Sequence, residues 1–215
     1  EGADGALSYL PEEEGDAARI AGLREDAGVP VLARPGDLRS KDYCRDLVAK
    51  TVEGLGGLDI VVNNGGKQVF NEDITTLDDQ QFDDTFTTNV DAMFWITKAA
   101  VPHLPGGAAI INTTSIQAYS PSDILVDYAS TTATINAFTN ALGQQLAPKG
   151  IRVNAVAPGP IWTPLQVSAG HPQEQVAQFG EDPPLGRMAQ PAALAPASVL
   201  LPSAQSRYAI RPPLN

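Results

Sequence analysis

The sequence predicts an α/β domain in which a parallel sheet is covered by helices on both faces. Short apolar runs alternate along the chain with helical patterns of ten or more residues. The runs are almost continuously apolar, as expected of strands that are buried on both faces. No linker or internal repeat divides the 215 residues, which suffice for a sizeable core, so residues 1–215 are interpreted as one domain.

The predicted elements follow one another from the first residues onward. Residues 6–10 form a weak strand, and Pro11 with three glutamates opens a helix, because proline and acidic groups suit a first helical turn. The next elements are a strand at 29–33, a helix at 39–55 and a strand at 58–63. Residues 76–104 form one or two helices. A strand at 108–113, a helix at 124–147, a strand at 151–156 and a helix near 191–201 follow, and the tail from 207 to 215 has no clear element.

Composition and charge exclude several classes of function. Against 14 Lys and Arg stand 25 Asp and Glu, a net charge of −11, which disfavours nucleic acid and anionic membranes as partners. No apolar run approaches the roughly 20 residues that span a bilayer, so a soluble protein is predicted. The single Cys44 excludes an internal disulfide and fits a cytoplasmic location, and with only two His we expect no metal site.

Polar and glycine residues follow four of the predicted strands. In open α/β sheets, ligands bind beyond the carboxyl ends of the strands, so four such segments in register predict a ligand crevice. The segments are 36–38, 63–66, 113–115 and 158–163. Ser115 leaves a strand and Tyr128 lies near the start of the next helix, where a phenol can act as a general acid or base. The alternative is that Tyr128 packs its ring and keeps a solvated tip.

Five segments of the chain form a specific set of motifs: VVNNGG (61–66), TNVDAMFWITKAA (88–100), INTTSIQAY (111–119), DYAST (127–131) and IRVNAVAPGPIWTPL (151–165). Together they resemble the short-chain dehydrogenase/reductase family, and the resemblance runs over residues 1–203. It implies a Rossmann-like three-layer parallel sheet, a nicotinamide dinucleotide and a carbonyl or alcohol substrate.

The resemblance also implies site residues. The family's catalytic Asn, Ser and Tyr fall on Asn89, Ser115 and Tyr128. The positions implied for the dinucleotide are Asp37 and Leu38 at the adenine, Asn63 and Gly65 in the family's NNAG element, and Pro158, Gly159, Ile161 and Thr163 around the nicotinamide.

Three departures from the family pattern shape the functional prediction. Thr132 stands where the family has a lysine, which holds the nicotinamide ribose and lowers the pKa of the tyrosine. The glycine-rich turn and first strand of the family are missing, and so is its last strand. Since Glu1 is not Met and an apolar stretch follows at once, we expect a processed or cut N-terminus, or a leading segment outside the reported chain.

The absence of the family's central strand leaves three expectations. The strand belongs to the polypeptide outside this sequence, a partner chain donates it, or its two neighbours close onto each other and erase the cofactor cleft. Buried unpaired backbone groups cost about 1–3 kcal/mol each, so a buried row of them is not expected to persist.

We therefore predict a scaffold repurposed for nicotinamide-independent acid/base catalysis on a small carbonyl or hydroxyl substrate, by isomerisation, dehydration or cyclisation, with no cofactor. One alternative is an NAD(P)-dependent carbonyl/alcohol oxidoreductase with an incomplete N-terminus, and another is a non-catalytic subunit. The two long helical stretches, 76–103 and 124–147, carry more apolar surface than one sheet face covers, so a homodimer or homotetramer is predicted.

Overall fold

The computed structural model describes residues 2–165, 186–209 and 213–214, for the last two without side chains. These residues form an α/β domain with parallel strands. The strands are β1 (Gly5–Tyr9), β2 (Val31–Pro35), β3 (Ile60–Asn63), β4 (Ala109–Thr113), β5 (Arg152–Val156) and β6 (Pro213–Leu214). The α-helices of the described residues are α1 (Glu14–Asp26), α2 (Lys41–Leu55), α3 (Asp79–Phe86), α4 (Ala92–Ala100), α5 (Val126–Leu146) and α6 (Pro191–Leu200).

Local sequence signals set the limits of α2. The Ser40 side chain accepts the backbone N–H of Tyr43 and caps the first turn. Gly56, at a φ of 76°, ends the helix in the left-handed conformation that glycine adopts without strain. The turn delivers the chain into β3, which leads to the predicted crevice.

The core lies on both faces of the sheet around β4. Side chains alternate between the two faces of a strand. Ile110 therefore packs with Val61 and Val153 on one face, whereas Ile111 packs with Val156 and Leu201 on the other. Burial on both faces explains why these strands are continuous apolar runs.

A buried arginine ties α6 to the sheet. The Arg152 guanidinium donates to the carbonyls of Leu201, Pro202 and Ser206, beyond the C-terminal end of α6. Burial lowers the pKa of Arg152. The arginine thus joins β5 to the segment that follows α6, and it ties to the sheet the helix that covers one side of the site.

The parallel strands form two sheets. β1 pairs with β2, and the second sheet has the order β3-β4-β5-β6. A groove of about 910 Å³ separates β1 from β3. The expectation that these two strands close onto each other is wrong. Ile60 and Val62 on β3 are 40% and 50% exposed at this groove.

The predicted absence of a last strand is also wrong. Pro213 and Leu214 pair in parallel with Ala155 and Val156 of β5. Proline has no N–H to donate, and sheets tolerate it at an edge. A two-residue edge strand containing proline has no pattern that distinguishes it from a loop.

Candidate active site

The ends of β3, β4 and β5 open into one cavity of about 520 Å³. Its walls come from the loops after these three strands, from the first part of α5 and from α6. Nine of the predicted site positions line it: Gly65, Asn89, Ser115, Tyr128, Thr132, Pro158, Gly159, Ile161 and Thr163. Of the four predicted segments, 63–66, 113–115 and 158–163 border this cavity, and 36–38 does not.

Ser115 and Tyr128 form the polar pair of this cavity. Ser115 caps the 3-10 turn Ile116–Ala118, its Oγ accepting the N–H of Gln117 at 3.2 Å. Burial raises the pKa of the Tyr128 phenol, and a hydrogen bond with Ser115 partly opposes that rise. At neutral pH the phenol is therefore protonated and available as a proton donor.

The backbone of Tyr128 is held by a buried carboxylate. Asp127 Oδ1 accepts the N–H of Tyr128 at 2.7 Å, and Oδ2 accepts the Thr85 hydroxyl at 2.9 Å. These bonds join the start of α5 to α3. Sequence reasoning missed this support, because an acid beside a tyrosine at a helix start is an ordinary cap signal.

Thr132 supplies no charge to the phenol. Its side chain is 2% exposed, and its Oγ1 donates to the carbonyl of Ala129 at 2.9 Å. No cation is among the causes that set the pKa of Tyr128. Burial is therefore the main influence on the pKa of the Tyr128 phenol.

Asn89 anchors the loop that follows β3. It lies in a π-helical turn (Thr87–Asp91) between α3 and α4, a distortion that is frequent at functional sites. Its Oδ1 accepts the N–H of Lys67 at 2.7 Å, and its Nδ2 donates to the Lys67 carbonyl at 2.9 Å and to Thr131 Oγ1 at 3.0 Å. With its amide so occupied, Asn89 fixes the shape of the cavity wall.

The remaining predicted positions lie outside this cavity. Asp37 is paired with Arg39 at 2.7 Å, and hydrogen bonds from Arg39 lower the pKa of the Asp37 carboxyl. Leu38 and Asn63 line the groove between the sheets. A Cβ on Gly65 would lie 2.5 Å from Leu38 Cδ1, so a larger residue there would require the Leu38 side chain to shift.

The shape and polarity of the cavity fit the nicotinamide end of a dinucleotide. Glycines permit close approach along one wall, and the Ser115–Tyr128 pair supplies hydroxyl groups. The fit is incomplete at Thr132, where no cation is available for the ribose. Among the residues that the structure describes, no group of three or more potential metal ligands occurs, and no helix is long and apolar enough to cross a membrane.

The fold and the cavity define a Rossmann-like α/β domain with a cavity at its strand ends. A family model described as enoyl-(acyl carrier protein) reductase matches residues 1–210. The chain belongs to the short-chain dehydrogenase/reductase family.

Similar proteins support this assignment. An uncharacterised oxidoreductase of Escherichia coli, YghA, is 51% identical over 97% of this chain and 71% of its own length. The NADPH-dependent aldehyde reductase 1 of Arabidopsis thaliana is 40% identical over 94% of this chain and 71% of its own. A short-chain dehydrogenase from Burkholderia cenocepacia in complex with NADP has a TM-score of 0.90 at 27% identity, covering 99% of this chain and 85% of that one.

These comparisons overturn the prediction of nicotinamide-independent catalysis and of a protein without a cofactor. The relatives are named oxidoreductases, and similar folds bind NADP or NADPH. The prediction took all three departures from the family pattern as evidence that nicotinamide chemistry had been lost. One of them, the last strand, is not a loss, and the groove between β1 and β3 remains open.

Gln68 and Gln117 are two of the cavity-lining residues that sequence reasoning did not single out. Gln68 lies in a loop and Gln117 in the 3-10 turn Ile116–Ala118. Each is two residues beyond a predicted segment, where glutamine is an unremarkable surface residue. Only the fold shows that both contribute to the cavity wall.

Proposed function

We propose that the protein is an NAD(P)-dependent oxidoreductase that interconverts a small carbonyl compound and its alcohol. The observation that supports this most strongly is that the hydroxyl groups of Ser115 and Tyr128 lie together in a cavity at the strand ends. Oxidoreductase relatives at up to 51% identity among those compared support the same reaction class.

The dinucleotide is proposed to contact two groups of residues, one at its nicotinamide end and one at its adenosine end. Gly65, Pro158, Gly159, Ile161 and Thr163 would hold the nicotinamide end, since all five line the cavity. Asp37, Leu38 and Asn63 would lie at the adenosine end, as the family resemblance implies. When bound, the nicotinamide supplies or accepts a hydride.

The residues of the chain manage the proton. In carbonyl reduction, the Tyr128 hydroxyl donates its proton to the substrate oxygen, and the Ser115 hydroxyl orients that oxygen. Because burial raises the pKa of Tyr128, the donor form predominates at neutral pH. Alcohol oxidation needs the phenolate and therefore speeds up as the pH rises.

Titration of the protein with NADPH and NADH, followed by fluorescence, tests the cofactor. We expect binding of at least one of them, and carbonyl-dependent loss of the reduced nicotinamide absorbance with small aldehydes. Heat-unfolded protein is the control. Failure of both dinucleotides to bind at millimolar concentration would contradict the proposal.

We also propose a homodimer or homotetramer built on the helical stretches 76–103 and 124–147. Phe94 on α4 is 43% exposed and contacts Phe138 on α5 edge-on at 6.5 Å, so the two helices share an apolar outer surface. Light scattering coupled to size exclusion is expected to give twice or four times 22.6 kDa. For the Phe94→Glu variant we expect a smaller particle, and a wild-type monomer would refute the proposal.

A cytoplasmic location is proposed from the state of Cys44. The thiol is buried and free, and its Sγ contacts the Leu38 carbonyl at 3.2 Å. Burial raises its pKa to about 11, so it stays protonated and inert. A single reduced cysteine fits a reducing compartment.

A further inference from the structure

Two loops of the proposed dinucleotide site lie against each other. Loop 36–39 follows β2, and loop 64–67 follows β3. They approach closely at Leu38 and Gly65, where a Cβ added to the glycine would lie 2.5 Å from Leu38 Cδ1. The first loop is proposed to lie at the adenosine end of the dinucleotide and the second at its nicotinamide end, so a shift between the loops changes the spacing of the two ends of the site.

Asp84 on α3 bridges the two loops through one carboxylate. Its Oδ2 lies 3.0 Å from Nη1 of Arg39 in the first loop and 3.2 Å from Nζ of Lys67 in the second. Its Oδ1 accepts a hydrogen bond from Gln80 Nε2 at 3.0 Å, which holds the carboxylate from its own helix. Hydrogen bonds from Gln80 and Lys67 lower the pKa of Asp84, so the bridge is ionised at neutral pH. The Asp84 side chain is 21% exposed and therefore largely shielded from solvent.

Both cations of this bridge are connected further along their own loops. Arg39 also pairs with Asp37 at 2.7 Å. The N–H of Lys67 donates to Asn89 Oδ1 at 2.7 Å, which ties loop 64–67 to the wall of the active-site cavity. Through Asp84, the contacts form a continuous path of polar groups from Asp37 to Asn89. Because one carboxylate oxygen serves both cations, its loss breaks this path at the point where the loops are joined.

We propose that Asp84 is a positioning residue of the dinucleotide site, which holds loop 36–39 and loop 64–67 at the spacing that the bound dinucleotide requires. The inference rests on the proposed oxidoreductase function. Single exposed ion pairs stabilise proteins only weakly, but this carboxylate joins two loops that a single ligand contacts. Loops that are already arranged for the ligand lose less conformational freedom on binding, and affinity rises as a result.

Charge and positioning predict opposite effects for the Asp84→Asn variant. The variant removes one negative charge, and the dinucleotide carries phosphates, so electrostatics alone would tighten binding. Loss of the bridge would loosen both loops and weaken binding. At physiological ionic strength, where salt screens exposed charges, we expect the dissociation constant of the preferred reduced dinucleotide to rise about fivefold. Fluorescence titration of the folded variant measures this change.

Two further variants separate the bridge from the charge of α3. Asp83→Asn is the matched control, because Asp83 is the exposed neighbour of Asp84 and its variant has the same net charge as Asp84→Asn. We expect this control to bind the dinucleotide as the wild-type protein does, or slightly more tightly. Asp84→Glu restores the carboxylate and is expected to bind the dinucleotide more tightly than Asp84→Asn. Thermal unfolding verifies that each variant is folded.

Hydrogen exchange of the ligand-free protein reports on the loops without a dinucleotide. Exchange over loop 64–67, corrected for intrinsic rates, is expected to be about fivefold faster in Asp84→Asn than in the wild-type protein or Asp83→Asn. Lys67→Met breaks the bridge from its other side and is expected to accelerate the exchange of the same loop. It serves as the second variant for this measurement.

The outcomes separate the role of Asp84 from the proposed function. Unchanged or tighter dinucleotide binding by folded Asp84→Asn overturns the role, as does an equal weakening in Asp83→Asn or a failure of Asp84→Glu to recover affinity. Unchanged exchange in both Asp84→Asn and Lys67→Met overturns the bridge between the loops. A wild-type protein that binds no dinucleotide would refute the proposed function, while faster exchange in the two variants would still show that Asp84 holds the loops.

Discussion

Replacing Thr132 by lysine is expected to raise the rate of alcohol oxidation at pH 7 by about 10- to 1,000-fold. A cation within 4–6 Å of an acid lowers its pKa by about 1–3 units. In the wild-type protein, burial alone dominates the pKa of Tyr128 and raises it. Thr132 lines the cavity together with Tyr128, so a longer side chain has space to extend there.

The pH dependence of kcat/KM for oxidation measures this effect. The phenolate is the active base, so the rate rises with pH through the pKa of Tyr128. Because burial raises the pKa of Tyr128 in the folded protein, the oxidation rate of the wild type is expected to rise only at high pH. The lysine is expected to lower the midpoint of this pH profile by about 1–3 units. Carbonyl reduction uses the phenol, so the pH at which its rate falls on the alkaline side is expected to drop by the same amount.

Two control variants separate charge from shape. Thr132→Met has a long side chain without charge, and we expect its midpoint to remain near that of the wild-type protein. Ser130→Lys places the same charge at an exposed position of α5, where solvent screens it. A midpoint that does not move in folded Thr132→Lys, or one that moves equally in Ser130→Lys, would show that position 132 does not tune the phenol.

The sequence predicted the layered fold because its strongest signals are local. The strand predicted at 108–113 is observed as Ala109–Thr113, and the helix predicted at 124–147 as Val126–Leu146. Both are long or strongly apolar elements with clear ends. The stretch 76–104 is less regular, since the π-helical turn Thr87–Asp91 interrupts it, and no periodicity in the sequence indicates such a turn.

Features set by distant contacts escaped prediction. β6 forms only because the tail reaches β5, and its proline contradicts a strand pattern.

Motifs that join a residue type to a strand end indicated residues that the structure brings together. Ser115, Tyr128 and the 158–163 loop all line the cavity, and their roles stay predictions. Asn89 was predicted as a catalytic residue, and the structure shows its amide engaged with the backbone of Lys67. Which atoms of a side chain are already occupied is decided by contacts that sequence spacing does not reveal.

Replacing Tyr128 by phenylalanine is expected to lower kcat for carbonyl reduction by about 10²- to 10⁴-fold, the usual contribution of a positioned general acid. The substitution removes the proton donor and little volume. Since the Asp127 bond is to the backbone N–H of residue 128, the start of α5 keeps its support. Dinucleotide affinity and thermal stability should therefore change little.

Steady-state kinetics of carbonyl reduction and a dinucleotide titration on the same preparation test this. Tyr119→Phe is the matched control, because Tyr119 is 49% exposed and outside the cavity lining; its kcat should equal that of the wild-type protein. Retention of more than about a tenth of kcat in Tyr128→Phe would exclude the phenol as the acid, since general acid catalysis contributes at least about a hundredfold. A parallel loss of dinucleotide affinity would instead indicate that the hydroxyl serves binding. Loss of kcat alone, at unchanged affinity, is the result that assigns proton transfer to Tyr128.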